Sequence, residues 1–156
     1  MSDILLQIEG LKVHFPIRNT RLLGGVTKYV KAVDGVSFYI EKGETLGLVG
    51  ESGSGKTTVG RAILRAIDLT EGHISFRIND QMLDLAQLTE KEMRAHRQHM
   101  QLIFQDPYSS LNPRMTVRDI IAEPLVAQQL ATGKNVDERV RSAAAHCKLN
   151  VEYLRR

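Results

Sequence analysis

The chain has 156 residues, 42% of them apolar and 25% charged, with a formal net charge of +3. That composition is ordinary for one compact globular domain and excludes a disordered or low-complexity chain, and no apolar run reaches the roughly 18 residues of a membrane span. The positive excess is small, aromatics make up 5% of the chain, and the densest basic stretch, residues 91–99 (KEMRAHRQH), has no Phe, Tyr or Trp on which a base could stack. It therefore reads as a solvated helix face, and no nucleic-acid partner is expected.

The first ten residues carry Asp3 and Glu9 and no basic flank, so they do not read as a secretory signal. Cys147 stands alone, which excludes an internal disulfide. Residues 4–15 alternate loosely and predict a strand or strand pair. Residues 16–29, with Gly24-Gly25 and no periodicity, predict a loop or insertion. In residues 30–40, Val30, Val33, Val36, Phe38 and Ile40 mark a second strand, with Asp34-Gly35 as a bulge or turn. After a turn at 41–44, residues 45–49 (TLGLV) form a nearly continuous apolar run, the pattern of a strand buried on both faces.

Residues 56–67 have helical spacing, with Val59, Ala62, Ile63 and Ala66 on one stripe. Residues 72–78 alternate again, and Asn79-Asp80 predicts a turn. Thr89 with Glu92 is a capping-box pair opening a polar helix to about Met100. Leu102-Ile103-Phe104 predicts another short strand, and 106–114 is irregular. Thr116 and Asp119 repeat the capping spacing and open a helix that Pro124 should kink or divide. Residues 136–148 predict a last helix.

Between the apolar run and the first helix lies Gly50-Glu51-Ser52-Gly53-Ser54-Gly55-Lys56-Thr57, which fits G-x-x-x-x-G-K-[ST] at every required position. The chemistry explains the spelling. Burying a triphosphate takes many donors and no bulky side chains, so glycines let successive N–H groups turn inward as an anion nest. The helix start adds the positive end of its dipole. Lys56 is the point charge for the β- and γ-phosphates, the Thr57 hydroxyl the expected Mg²⁺ ligand, and Thr58 a donor to the α-phosphate. The motif follows an expected buried strand and opens a helix, its confirming context.

A small nucleotide kinase usually opens with this loop, whereas about forty residues of strand-like sequence precede it here. That pattern suits an added antiparallel sheet beside the base of the nucleotide. Residues 31–58 (KAVDGVSFYIEKGETLGLVGESGSGKTT) together with 102–117 (LIFQDPYSSLNPRMTV) resemble the ATPase subunits of ATP-binding cassette (ABC) importers. The match is to the branch that energises uptake of dipeptides, oligopeptides and, in some members, nickel, and within two-ATPase systems it is nearer to the second ATPase. The resemblance covers essentially the whole chain.

It implies an α/β P-loop NTPase fold of ABC type with an N-terminal antiparallel β subdomain, incomplete at the C-terminus. Residues 1–49 would be the β subdomain and P-loop strand, 50–115 the P-loop to the Q-loop, and 116–156 the start of a helical subdomain. ATP and Mg²⁺ would be held by Gly50, Glu51, Ser52, Gly53, Ser54, Gly55, Lys56, Thr57 and Thr58. Gln105 would be the Q-loop glutamine, reaching Mg²⁺ and the attacking water; reading LIFQD as a degenerate Walker B with Asp106 as metal ligand is disfavoured by Pro107. Phe15 would stack on adenine, with Tyr29 as the alternative.

The implied partners are permease membrane subunits and a second ATPase subunit, which would place the chain in the cytoplasm, peripheral at the inner face of the membrane. The 156 residues contain no LSGGQ-like signature, no apolar run ending in Asp-Glu and no switch histidine; Leu22-Leu23-Gly24-Gly25 lacks the serine and precedes the P-loop. The expectation is therefore weak ATP–Mg²⁺ binding and negligible hydrolysis, because charge stabilisation in phosphoryl transfer needs those groups together. A complete small P-loop kinase and a non-catalytic nucleotide-binding fragment are the competing readings.

Overall fold

The computed structural model describes residues 3–18, 26–106 and 111–155. The chain forms two compact units, Met1–Leu102 and Ile103–Arg156, each with its own apolar core.

The first unit is built on a four-stranded antiparallel sheet in the order β2-β1-β3-β4. Its strands are β1 (Ile4–Arg18), β2 (Val26–Glu41), β3 (Glu71–Ile78) and β4 (Gln81–Asp84). Leu6, Ile8, Leu11 and Val13 of β1 are all buried, although the step from 8 to 11 breaks a period of two. A bulge restores the phase: Ile8 faces Phe38 and Leu11 faces Val36, so three steps of β1 run against two of β2, with Gly10 at φ 57°. The expected interruption at Asp34-Gly35 is a second bulge, on β2, where Leu11 faces Val36 and Lys12 faces Asp34.

The hairpin is longer than its sequence pattern predicts. Phe15 pairs with Val30, Pro16 with Tyr29 and Ile17 with Lys28, so both ends of the expected 16–29 loop are strand; the Gly24-Gly25 part lies outside the described residues. Pro16 is tolerated because the last pairing of β3 with β1 is at Lys12, and among the described residues no strand pairs with that edge of β1 at Pro16, so no donor is needed there. The Asn79-Asp80 turn is present, both residues having positive φ, 48° and 65°, and it leads into β4. That strand, QMLD, is too short and polar to be legible as one.

Across β3 and β4, His73 Nδ1 lies 2.7 Å from the Asp84 carboxylate, which also accepts from the backbone N–H groups of Ile74 at 3.2 Å and Ala86 at 3.0 Å. The hydrogen bond to Asp84 and its charge raise the His73 pKa above its ordinary value. Burial pushes the Asp84 carboxyl up, but the bonds from His73, Ile74 and Ala86 outweigh it and leave its pKa low. The histidine's contribution to stability is present below about pH 6.5 and is lost as pH rises through its raised folded value; the aspartate's is lost as pH falls through its lowered one. Urea midpoints of the native chain should therefore fall between about pH 6 and 8 more steeply than those of a His73→Gln variant. Parallel profiles would refute the coupling.

Helix α1 (Lys56–Ile63) lays Val59 and Ala62 into the same core as Val13, Val33 and Ile74; burying one such side chain contributes on the order of 1.5–3 kcal/mol. It ends four residues before the expected Ile67. Ala66 N–H donates to Arg61 O and Arg65 N–H to Ala62 O, both at 2.9 Å, with Arg65 left-handed at φ 52°. That is a Schellman closure without the usual glycine. Helix α2 (Glu90–His96) has the predicted capping box between Thr89 and Glu92 and buries Met93.

Two expected strands are absent. Residues 45–49 and 102–104 have no strand pairing, and Val49 is 97% and Ile103 89% exposed. A strand buried on both faces takes ladder bonds from neighbours on both sides, and none of the described strands pairs with either segment.

The second unit packs α3 (Val117–Ala127) and α4 (Lys134–His146) with a closing 3₁₀ turn, Val151–Arg155, around Ala122, Val136, Val140, Ala144 and Leu154. Thr116 caps α3 by accepting from Asp119 N–H at 3.2 Å and donating to its carboxylate at 2.7 Å. Pro124 does not divide this helix, which runs three residues further. Both helices end as α1 does, with Gln129 and Lys148 in the left-handed position. Among the described residues no helix is long and apolar enough to cross a membrane.

Candidate nucleotide-binding loop

The loop before α1 is shaped by two left-handed residues, Gly53 at φ 82° and Gly55 at φ 92°, with Ser54 N–H closing a turn onto Glu51 O at 3.2 Å. Gly55 is also the N-cap of α1. It offers no side chain to the first amides, and the first turn contains no acidic residue. The positive end of α1 is therefore unshielded by its own sequence, as an anion site at a helix start requires.

Lys56 Nζ folds back over the loop. It donates to Gly50 O at 2.7 Å, to Glu51 O at 2.6 Å and to Ser54 Oγ at 3.2 Å. An ammonium has three donors, and here all three tie the beginning of the loop to its end. The charge is thus held over the turn that the glycines form, and carbonyl oxygens are its only backbone partners there.

The loop is seated on β2 by a close backbone approach. A Cβ on Gly55 would lie 2.2 Å from Ala32 O and 3.6 Å from Val33 Cγ2, so only glycine fits. Sequence reasoning overlooked Ala32 as a seat for the loop, because a backbone carbonyl leaves no mark in the residue pattern.

Phe15 and Tyr29 fall on different faces of the hairpin. Residues 11–17 of β1 carry no extra residue against β2, so Leu11, Val13, Phe15 and Ile17 share one face. That is the face where Val13, Val33 and Val59 share a core. Phe15 is 43% exposed there, opposite Val30 and two residues along β2 from Ala32. Tyr29, opposite Pro16, points the other way and is 60% exposed. Of the remaining sequence-predicted residues, Glu51, Ser52 and Thr57 are exposed and Thr58 is half-buried. Gln105 belongs to the second unit, on an exposed bend.

The glycine turn, the lysine folded over it and the uncapped helix that follows carry the P-loop spelling of residues 50–57, that of the nucleotide-binding class, although the strand expected in front of the loop is absent. The antiparallel sheet in front of it narrows the class, and the chain belongs to the ABC transporter family, whose model, described as "ABC transporter", matches residues 33–155. A dimeric ATP-binding cassette solved in a post-hydrolysis state with ADP and Pi has a similar fold, with a TM-score of 0.73 at 19% identity, covering 97% of this chain and 60% of that one. The oligopeptide transport ATP-binding protein OppF of Bacillus subtilis (strain 168) is 47% identical over 158 residues, which is 100% of this chain and 48% of the relative. AppF of the same organism, also an oligopeptide transport ATP-binding protein, is 42% identical over 156 residues, 97% of this chain and 45% of the relative. The chain spans about half the length of the curated relatives it matches.

Proposed function

We propose that this chain is the ATP-binding part of an importer ATPase that couples ATP binding and hydrolysis to uptake of peptides or similar small solutes. The observation that carries the reading is the Lys56 ammonium held over a glycine turn in front of an uncapped helix. The names of the relatives support the transport role.

In this reading a triphosphate lies on the N–H groups of residues 50–58. Lys56 exchanges its carbonyl partners for β- and γ-phosphate oxygens, a stronger charge-assisted set. Thr57 is the Mg²⁺ ligand and Thr58 a donor to the α-phosphate. Bound Mg²⁺ would neutralise charge on the phosphate tail, and the uncapped, acid-free helix start fits such a tail. Phe15 stacks on adenine from the α1 side of the hairpin, and Gln105 reaches toward the metal and water. Residues 1–49, 50–115 and 116–156 serve as β subdomain with P-loop strand, P-loop to Q-loop, and start of the helical subdomain. The partners are permease subunits and a second ATPase subunit, and the working location is the cytoplasmic face of the membrane.

Titration with a fluorescent ATP analogue, with and without Mg²⁺, tests the reading, followed by phosphate-release measurements. Saturable binding that unlabelled ATP displaces is expected, with turnover no higher than background, since the 156 residues supply no Walker B carboxylate or signature. Absence of displaceable binding at millimolar analogue would refute the first half, and ATP turnover that depends on Lys56 the second.

A further inference from the structure

The second unit contains a cavity of about 540 Å³ between α3, α4 and the closing turn, within the usual size of small-molecule sites. Its apolar lining is Val140 and Leu154, which are buried, and Val151, which is exposed. Its wall is charged. Arg118 donates from Nε and Nη2 to Asp137 Oδ1, at 2.9 and 2.7 Å, and from Nη1 to Asp119 Oδ1 at 2.9 Å. The other Asp119 oxygen takes the Thr116 hydroxyl at 2.7 Å. One guanidinium therefore serves both carboxylates across the two helices.

Two further arginines line the same cavity, Arg141 from α4 and Arg155 from the closing turn. Neither has an ion-pair or hydrogen-bond partner among the described residues, although Asp137 is one helical turn from Arg141. Three arginines against two aspartates leave the cavity with a surplus of one positive charge, carried by guanidiniums beside an apolar lining. Guanidinium forks match a carboxylate bidentately, and the valine and leucine surface matches an aliphatic body. A dicarboxylate would bring its second charge toward Asp137, and a bare phosphate would leave the apolar lining uncovered.

We propose that this cavity binds a small monocarboxylate with an aliphatic body, such as a free N-blocked amino acid or the C-terminus of a short peptide. The carboxylate lies on Arg141 and Arg155, and the side chain covers Val140 and Leu154. The site is made by residues of the second unit alone and needs no nucleotide.

Amide NMR of the full chain tests this with N-acetylleucine, its uncharged analogue N-acetylleucinamide, the tripeptide Ala-Ala-Leu and inorganic phosphate as probes. N-acetylleucine should shift the amides of residues 116–119 and 137–141 saturably, and N-acetylleucinamide should not. Arg141→Gln should weaken binding about tenfold or more, the loss of a charge-assisted pair. Arg141→Lys should keep part of it, and Arg141→Gln with Arg155→Gln should abolish it at an unchanged thermal midpoint. Tighter binding of Ala-Ala-Leu than of N-acetylleucine supports the proposal and identifies a peptide end as the source; the reverse order supports it and identifies the N-blocked amino acid. Equal shifts with N-acetylleucinamide or with phosphate, or unchanged binding in the double variant, would overturn it. A Lys56→Ala variant should bind the probes like the native chain, so this result stands apart from the nucleotide reading.

Discussion

Lys56→Ala should lower affinity for Mg²⁺-ATP by about two to four powers of ten while leaving the chain folded. The magnitude follows from what the ammonium would do against a triphosphate. Two charge-assisted hydrogen bonds at roughly 1.5–3 kcal/mol each are lost, and about 1.4 kcal/mol is a factor of ten. Stability should barely respond, because the residues that α1 buries are Val59 and Ala62. The three bonds that Lys56 makes in the loop are all solvent-exposed. Lys56→Arg should not rescue binding, since a planar fork does not replace a compact ammonium held by three acceptors in a tight turn. Equilibrium titration with the fluorescent ATP analogue, beside a thermal melt of each variant, checks both halves. Affinity within a few-fold of native in Lys56→Ala would mean that the backbone amides hold the nucleotide without the lysine.

The loop was legible in the sequence because it is a local device: glycines, lysine and hydroxyl sit within eight consecutive positions, and their physics depends on little beyond them. The capping box at Thr89 and the side-chain cap at Thr116 were legible for the same reason. Helix ends were not. Arg65, Gln129 and Lys148 each take the left-handed closing position that glycine normally signals, so α1 and α4 stop before their apolar or helical pattern does. The bulge at Gly35 was visible beside an aspartate, whereas the one at Gly10 was hidden in a loosely alternating run. Residues 45–49 and 102–104 have strand composition, but a strand exists only with a partner on its edge, and composition carries no partner. The faces that Phe15 and Tyr29 take depended on register, which two bulges on β2 displaced by one residue each. One slip exchanges faces and the second restores them, so the bulges changed which residue opposes Phe15, Val30 in place of Ala32, and left Tyr29 on the opposite face.

Gly55→Ala should damage stability and nucleotide binding together. Two costs add at that position. The left-handed φ of 92° is strained for any residue with a Cβ, by about 1–3 kcal/mol. The new Cβ would also stand 2.2 Å from the Ala32 carbonyl oxygen, and a backbone carbonyl cannot swing aside as a long side chain can. Either β2 yields, disturbing Val33 in the core, or the start of α1 lifts from the strand and opens the turn that Lys56 closes. A loss of about 3 kcal/mol or more in urea unfolding is expected, among the larger single-substitution effects, with displaceable ATP binding lost as well. Gly53→Ala is the control. Its φ is 82° but no atom lies within 4 Å of the added carbon, so it should suffer the backbone strain alone. If the two variants unfold at the same urea concentration, the contact with Ala32 carries no energy and the loop is not seated on β2. If Gly55→Ala is clearly the weaker, the sheet and the phosphate loop are one mechanical unit. Fold and binding then fail together at Gly55, whereas at Lys56 binding fails alone.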